Sequence, residues 1–223
     1  MTYNIAIDGP AGAGKSTIAR RVAKELGYIY VDTGAMYRAM ALHILNQGIR
    51  PEDGERIAAA CSGADIDIRY ENGEQQIFLN GKNVTGDLRR EEVGNMASRT
   101  SVYACVRQKL TELQKELASR ENVVMDGRDI GTSVLPGAQA KIYLTASSRT
   151  RALRRCLELQ QKGIEGNLEE IEADINERDY RDMHREISPL CRAEDAKLVD
   201  SSDLTIEQVT DAILRICREA GCR

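Results

Sequence analysis

Eight residues near the N-terminus restrict this chain more than any others: Gly9-Pro10-Ala11-Gly12-Ala13-Gly14-Lys15-Ser16. Their spacing is G-x-x-x-x-G-K-[ST], the phosphate-binding loop pattern, or P-loop. The flanks agree with it. Upstream, Tyr3-Asn4-Ile5-Ala6-Ile7 reads as a short buried strand. Downstream, Ile18, Val22 and Leu26 recur at helical spacing before Gly27, a helix stop. Strand, glycine loop and helix form the setting in which backbone N–H groups cradle phosphate oxygens. The helix start adds its positive end. Lys15 then supplies a point charge to the β/γ-phosphates, and the Ser16 hydroxyl can ligate Mg²⁺. A glycine-rich surface turn with a chance lysine would need none of this context.

A chain of 223 residues buries a substantial core without disulfides. With 42% hydrophobic and 30% charged residues it reads as globular. The net charge of −4 argues against a nucleic-acid-coating protein, and with no Trp and one Phe there is little to stack bases on. The six cysteines are Cys61, Cys105, Cys156, Cys191, Cys217 and Cys222, with no C-x-x-C pair. Only His43 and His184 could join them, so zinc is not expected. Scattered thiols without a signal-peptide pattern predict a reducing, cytoplasmic setting. No apolar run reaches membrane-spanning length, so neither membrane nor nucleic-acid partners are expected.

Along the chain, Tyr28-Ile29-Tyr30-Val31 predicts the second strand, ending in Asp32-Thr33-Gly34. A helix over Ala35–Gln47 follows, with Arg38 in its first turn. A cation there opposes the helix dipole, which leaves open a bound anion or a solvated surface arginine. Asp53–Cys61 predicts a short helix. The period then changes: Ile66, Ile68 and Tyr70 alternate with charged residues, and Asn72-Gly73 and Asn80-Gly81 punctuate the run. That pattern predicts an antiparallel meander within an insertion, with 86–98 returning toward the core. Ser101–Ser119 predicts a long helix striped by Val102, Val106, Leu110, Leu113 and Leu117. Arg107 lies beside the stripe, and composition alone favours a solvated charge.

Asn122-Val123-Val124-Met125 predicts a third strand, running into Asp126-Gly127-Arg128-Asp129-Ile130-Gly131-Thr132. Apolar residues ending in an aspartate suit a carboxylate that orders Mg²⁺ and its water. Further strands are predicted over 141–144 and 197–199. Between them, Arg149, Arg151, Arg154 and Arg155 open a helix running to about Lys162, and a second helix covers about Leu168–His184. Arg178, Asp182 and Arg185 fall within a sector of about 60° on that helix, with Arg181 close by. They read as a phosphate-and-sugar face, against the alternative of an intrahelical ion-pair ladder. Thr205 and Gln208 predict a capping box before a closing amphipathic helix.

The P-loop with Thr17, the segments Asp32-Thr33-Gly34-Ala35-Met36-Tyr37-Arg38 and Asp126 to Thr132, and Glu177-Arg178-Asp179 through Arg185 resemble the bacterial cytidylate kinases, from Ile5 to the final helix. The resemblance implies an α/β P-loop three-layer fold with a five-stranded parallel sheet. It also implies an inserted antiparallel β-meander that binds the nucleoside monophosphate, and a short helical lid. The core would cover about 1–60, 99–148 and 186–223, the insertion about 61–98, and the lid with its following helix about 149–185. The reaction implied is ATP with CMP or dCMP, using Mg²⁺, in a monomeric enzyme of pyrimidine metabolism.

By the same resemblance, Gly9, Pro10, Ala11, Gly12, Ala13, Gly14, Lys15, Ser16 and Thr17 would bind ATP. Thr33, Arg107 and Asp129 would read the cytosine. Arg38, Arg128 and Arg185 would hold the acceptor phosphate, and Arg178 and Asp182 the sugar side. Lys15, Arg128 and Arg185 would serve the chemistry, while lid arginines Arg151, Arg154 and Arg155 would close on ATP. Ser16 would hold Mg²⁺, with Asp126 behind it. Another small-molecule P-loop kinase, of UMP/CMP- or shikimate-like type, could use the same core. A regulatory GTPase would need an N-K-x-D motif, which the sequence lacks.

Overall fold

The computed structural model describes residues 2–71, 73–161 and 163–222. Asn72 of the first Asn-Gly turn and Lys162, at the expected end of a helix, lie outside them. Two compact units emerge: Met1–Tyr30 with Glu121–Arg223, and Val31–Arg120.

The first unit is built on parallel strands. β1 (Asn4–Asp8) pairs with β6 (Val123–Gly127) and β7 (Ala140–Thr145), and β7 pairs with β8 (Lys197–Asp200). With β2 (Ile29–Asp32), which straddles the unit boundary, the five-stranded sheet has the order β2-β6-β1-β7-β8. The central strands are near-continuous apolar runs because both their faces are covered. α1 (Lys15–Leu26) and α8 (Ile206–Glu219) set Ile18, Val22, Val209 and Ile213 against Ile5, Ile7, Val124 and Ile142. The predicted capping box of Thr205 and Gln208 opens α8.

α6 (Ser148–Gln161) and α7 (Leu168–His184) form the hairpin after β7. Between β6 and β7 the chain makes a π-helical turn over Ile130–Val134, in which the Leu135 N–H reaches the Ile130 carbonyl. Such turns occur often at functional sites. No helix among the described residues is long and apolar enough to cross a membrane.

The second unit holds α2 (Thr33–Asn46), α3 (Gly54–Gly63), the antiparallel sheet β3 (Ile66–Glu71), β4 (Glu74–Leu79) and β5 (Lys82–Asn83), then α4 (Glu91–Thr100) and α5 (Ala104–Arg120). The meander is present, with β4 central. The expected helix over 101–119 begins later. Tyr103 caps the end of α4 by donating its N–H to Thr100, and its hydroxyl reaches the Pro51 carbonyl. Val102 is therefore left exposed, and Gln114 rather than Leu113 is fully buried on α5.

Candidate active site

The P-loop turns from the end of β1 into α1 with little space to spare. A Cβ at Gly9 would sit 1.9 Å from the Leu144 carbonyl oxygen of β7, so only glycine lets the loop leave the sheet there. Lys15 is buried and donates to the Pro10 carbonyl at 2.7 Å. Burial pulls its pKa well below the usual lysine value, helped by the cations Arg128 and Arg178 and opposed by Asp126 and Asp8. A phosphate group beside it would offset both effects. One helical position on, the Ser16 hydroxyl donates to Asp126 Oδ2 at 2.8 Å, and Tyr30 donates to Asp126 Oδ1 at 3.0 Å. Thr17 follows within α1.

The segment after β6 and the inner side of α7 share a buried charge network. Arg128 Nε donates to Asp182 Oδ2 at 2.9 Å. Arg185, the C-cap residue of α7, pairs with Asp129 at 3.2 Å and donates to the Ser188 carbonyl at 2.8 Å. Arg185 and Asp129 have side chains only 4% and 7% exposed, too deep for a solvated ladder. The local Arg185–Asp182 pair, at 3.9 Å, is the longer contact. Burial raises the Asp182 pKa, but Arg128, Arg178 and Arg185 outweigh it and hold the carboxyl below the usual range. Burial likewise works against the Arg128 charge, and Asp182 more than restores it. Arg178 lies near enough to act on both Lys15 and Asp182. Arg181 faces outward instead, 3.8 Å from Glu177.

One participant escaped the sequence reading. Asp8, the last residue of β1, is buried and accepts from the N–H groups of Ile130 and Gly131 at 2.8 and 2.7 Å. It thereby fixes the turn that carries Asp129. Burial pushes its pKa up to about 6, against the two backbone donors. The only signal in the sequence was an aspartate ending a buried strand.

The three lid arginines have separate surroundings. Arg151 is buried, paired with Asp179 and bonded to the P-loop backbone at Ala11. Arg154 donates to the Ser201 hydroxyl and carbonyl at 3.1 and 2.6 Å, and its Nη1 lies 4.0 Å from where a Cβ at Gly14 would be. Arg155 is on the surface with Glu158 at 3.0 Å.

In the second unit, Thr33 is buried at the start of α2. Arg38 is not isolated at a helix start: α2 begins two residues earlier than expected, and Arg38 pairs with the N-cap carboxylate of Asp32 at 3.1 Å. Gln75 of β4 donates to the Asp32 carbonyl and accepts its N–H, which ties the meander to this cap. Arg107 corrects the composition-based reading: it is buried, donates to the Ser101 carbonyl at 3.3 Å, and its guanidinium lies 5.7 Å from the Tyr37 ring centroid. Among the described residues no cluster of three His, Cys, Asp or Glu side chains could hold a metal ion. The six cysteines are free, and burial pushes Cys61 and Cys217 to about 12.

A family profile described as Cytidylate kinase matches residues 5–219. A cytidylate kinase from Lactobacillus johnsonii is 48% identical over 96% of this chain and 94% of its own length. One from Caldicellulosiruptor bescii is 49% identical with the same coverage, and one from Pediococcus pentosaceus is 48% identical over 99% of this chain and 98% of its own. Among solved structures, a shikimate kinase from Acinetobacter baumannii superposes with a TM-score of 0.50 at 17% identity, over 100% of this chain and 97% of its own. A gluconokinase from Sinorhizobium meliloti gives 0.50 at 15%, over 98% and 94%. At such low identity these two speak for the P-loop kinase fold alone. The loop on β1, the charge network behind it and the match along nearly the whole length agree: this chain belongs to the cytidylate kinase family of phosphotransferases.

Proposed function

We propose that the protein transfers the γ-phosphoryl group of ATP to CMP or dCMP, with Mg²⁺, giving ADP and CDP or dCDP. The buried network of Arg128, Asp182, Arg185 and Asp129 carries this reading. Two guanidiniums suit an acceptor phosphate, and a carboxylate beside them suits the cytosine amino group, where uracil presents an acceptor. Arg178 and Asp182 would contact the sugar side. By the family resemblance, Thr33 and Arg107 would contact the base and Arg38 the acceptor phosphate. Residues 9–17 would cradle ATP, with Arg154 and Arg155 as lid arginines and Arg151, of the same lid set, held against the loop backbone at Ala11.

The oxygen donors at the loop fit Mg²⁺, which takes one or two carboxylates together with phosphate oxygens and water. Ser16 would hold the ion and Asp126 would order its shell. The ion, when bound, neutralises charge on the β- and γ-phosphates. Lys15, Arg128 and Arg185 would do the same from the protein. Phosphoryl transfer asks for positioning and charge stabilisation, and these groups supply both without a nucleophilic side chain. The reading brings with it a monomeric, cytoplasmic enzyme of pyrimidine metabolism.

A ligand panel tests it. Thermal melts with CMP, dCMP, UMP, GMP and shikimate should show stabilisation by the two cytosine nucleotides, about 2.7 kcal/mol at a hundredfold excess over Kd. A coupled ADP assay should follow the same order. Stabilisation by shikimate or UMP and not CMP would replace this function with that of another P-loop kinase.

A further inference from the structure

The Arg151–Asp179 pair grips the phosphate loop from the lid side. Both backbone groups of Ala11 are bound by it. The Ala11 N–H donates to Asp179 Oδ1 at 3.1 Å, and the Ala11 carbonyl accepts from Arg151 Nη1 at 2.9 Å. Arg151 also pairs with Asp179 Oδ2, and its Nε donates to the Ala146 carbonyl at 2.9 Å. The two side chains are 7% and 9% exposed. The loop lies directly on them: a Cβ at Gly12, where φ is +75°, would come within 3.2 Å of Arg151 Cβ. An exposed pair wanders, but a desolvated, hydrogen-bonded one imposes a geometry. Here that geometry is the orientation of the two peptide units on either side of Ala11, whose neighbours must aim their N–H groups at phosphate.

Asp179 lies three residues before Asp182 on α7, so the two stack on one side of the helix. Asp182 holds Arg128 of the acceptor network. A single turn of α7 therefore touches the ATP loop at one end and the acceptor face at the other. Any shift of α7 that reseats Asp182 must also displace Asp179 and, through it, Ala11.

We propose that Arg151 and Asp179 are positioning residues that set the two peptides flanking Ala11 and couple the ATP loop to the acceptor face of α7, so that each substrate tightens the other. The inference rests on the acceptor-face reading given above. Because coupling free energy is reciprocal, CMP must sharpen nucleotide binding by the same factor by which ATP sharpens CMP binding.

Calorimetry with β,γ-imido-ATP and CMP, each alone and with the other saturating, tests this on the full chain. In the wild type each ligand should tighten the other by about 5- to 150-fold. Asp179→Asn keeps an oxygen for the Ala11 N–H but removes the charge that holds Arg151, and should bring the ratio close to one while CMP affinity alone is unchanged. Arg151→Lys keeps a buried cation for Asp179 but cannot reach Ala11, Ala146 and Asp179 together. It should give the same loss, and it serves if Asp179→Asn does not fold.

A pair that merely holds α6 against α7 would lower the melting midpoint and leave the ratio at its wild-type value, and that result overturns the proposal. So does a wild type whose ligands bind independently. A wild type that fails to bind CMP would overturn the acceptor reading and this inference with it. Intact CMP binding with undiminished coupling in both variants overturns this inference alone.

Discussion

Arg181 and Arg185 stand four residues apart at the C-terminal end of α7, and they are held in opposite ways. Arg181 meets Glu177 at 3.8 Å, with both side chains about half exposed or more. Arg185 meets Asp129 at 3.2 Å, with both almost entirely buried, and also bonds the Ser188 carbonyl. In water the first pair gains little, because solvent screens it and two long side chains must be ordered. The second is costly to bury, and removing either partner would leave an uncompensated charge in the interior. Burial of charge on this scale is poor evidence for stability, and it is concentrated around Lys15, Arg128, Asp129, Asp182 and Arg185, where a polyanionic substrate would make use of it.

Variants on the two sides test that difference, and the largest effect is expected in base choice. A site that bonds a substrate N–H can reject an analogue lacking it by roughly 10⁴. CMP should therefore be strongly preferred over UMP, and Asp129→Ala should lose more with CMP than with UMP in steady-state kinetics. Equal losses would make Asp129 a structural partner of Arg185 only. Lys15→Ala comes next. Loss of a charge aimed at the transferred phosphoryl should lower kcat by on the order of 10²–10³ or more with the fold retained by circular dichroism. Near-normal turnover would remove the loop from the reaction.

Arg185→Met keeps part of the apolar stem and deletes the charge. A charge-assisted contact of about 1.5–3 kcal/mol corresponds to roughly a 10- to 150-fold loss of kcat/KM for CMP. ATP affinity without CMP should hold. If the residue only braced α7, a urea melt would record the change and the kinetics would not.

Asp8 offers a test in pH. Its folded pKa of about 6 lies above the ordinary 3.8, so the folded state binds the extra proton between those values. Its contribution to stability is fully present below about 3.8 and is lost as pH rises through about 6, up to about 3 kcal/mol. Urea melts of wild type and Asp8→Asn from pH 4 to 7 should show the wild type falling relative to the variant across that window; parallel curves would mean Asp8 titrates normally. The smallest effect belongs to the outer side of α7: Arg181→Met should change stability by less than about 1 kcal/mol and leave kcat/KM alone.

The order of most elements was legible in the sequence because it follows from short-range rules; α4, in the stretch read only as returning toward the core, was not. The loop glycines, the two-residue alternation of β3 and β4, the capping box at Thr205 and Gln208 and the apolar runs of the parallel strands each depend on residues a few positions apart. The start of α5 was misjudged because a tertiary bond, from the Tyr103 hydroxyl to the Pro51 carbonyl, accompanies the break after α4. The site shows the same division. Lys15 and Ser16 are implied by the spacing of one motif, whereas the residues proposed for the acceptor follow from the resemblance and not from any local pattern.

What the sequence determined by itself, then, is a phosphate-binding loop in an alternating β/α chain with an antiparallel insertion, since backbone geometry and hydrophobic period are written locally. Only the tertiary structure decided which charges are buried and with whom. Arg107 and Arg151 look like surface arginines in composition, and Asp8 looks like the polar end of a strand. Whether each is solvated or locked depends on a partner in space: Tyr37 lies 70 positions from Arg107, Asp179 lies 28 from Arg151, and the Gly131 amide lies 123 from Asp8. No local pattern encodes those meetings, because an ionic group's state is set by the dielectric and the counter-charge that folding brings to it.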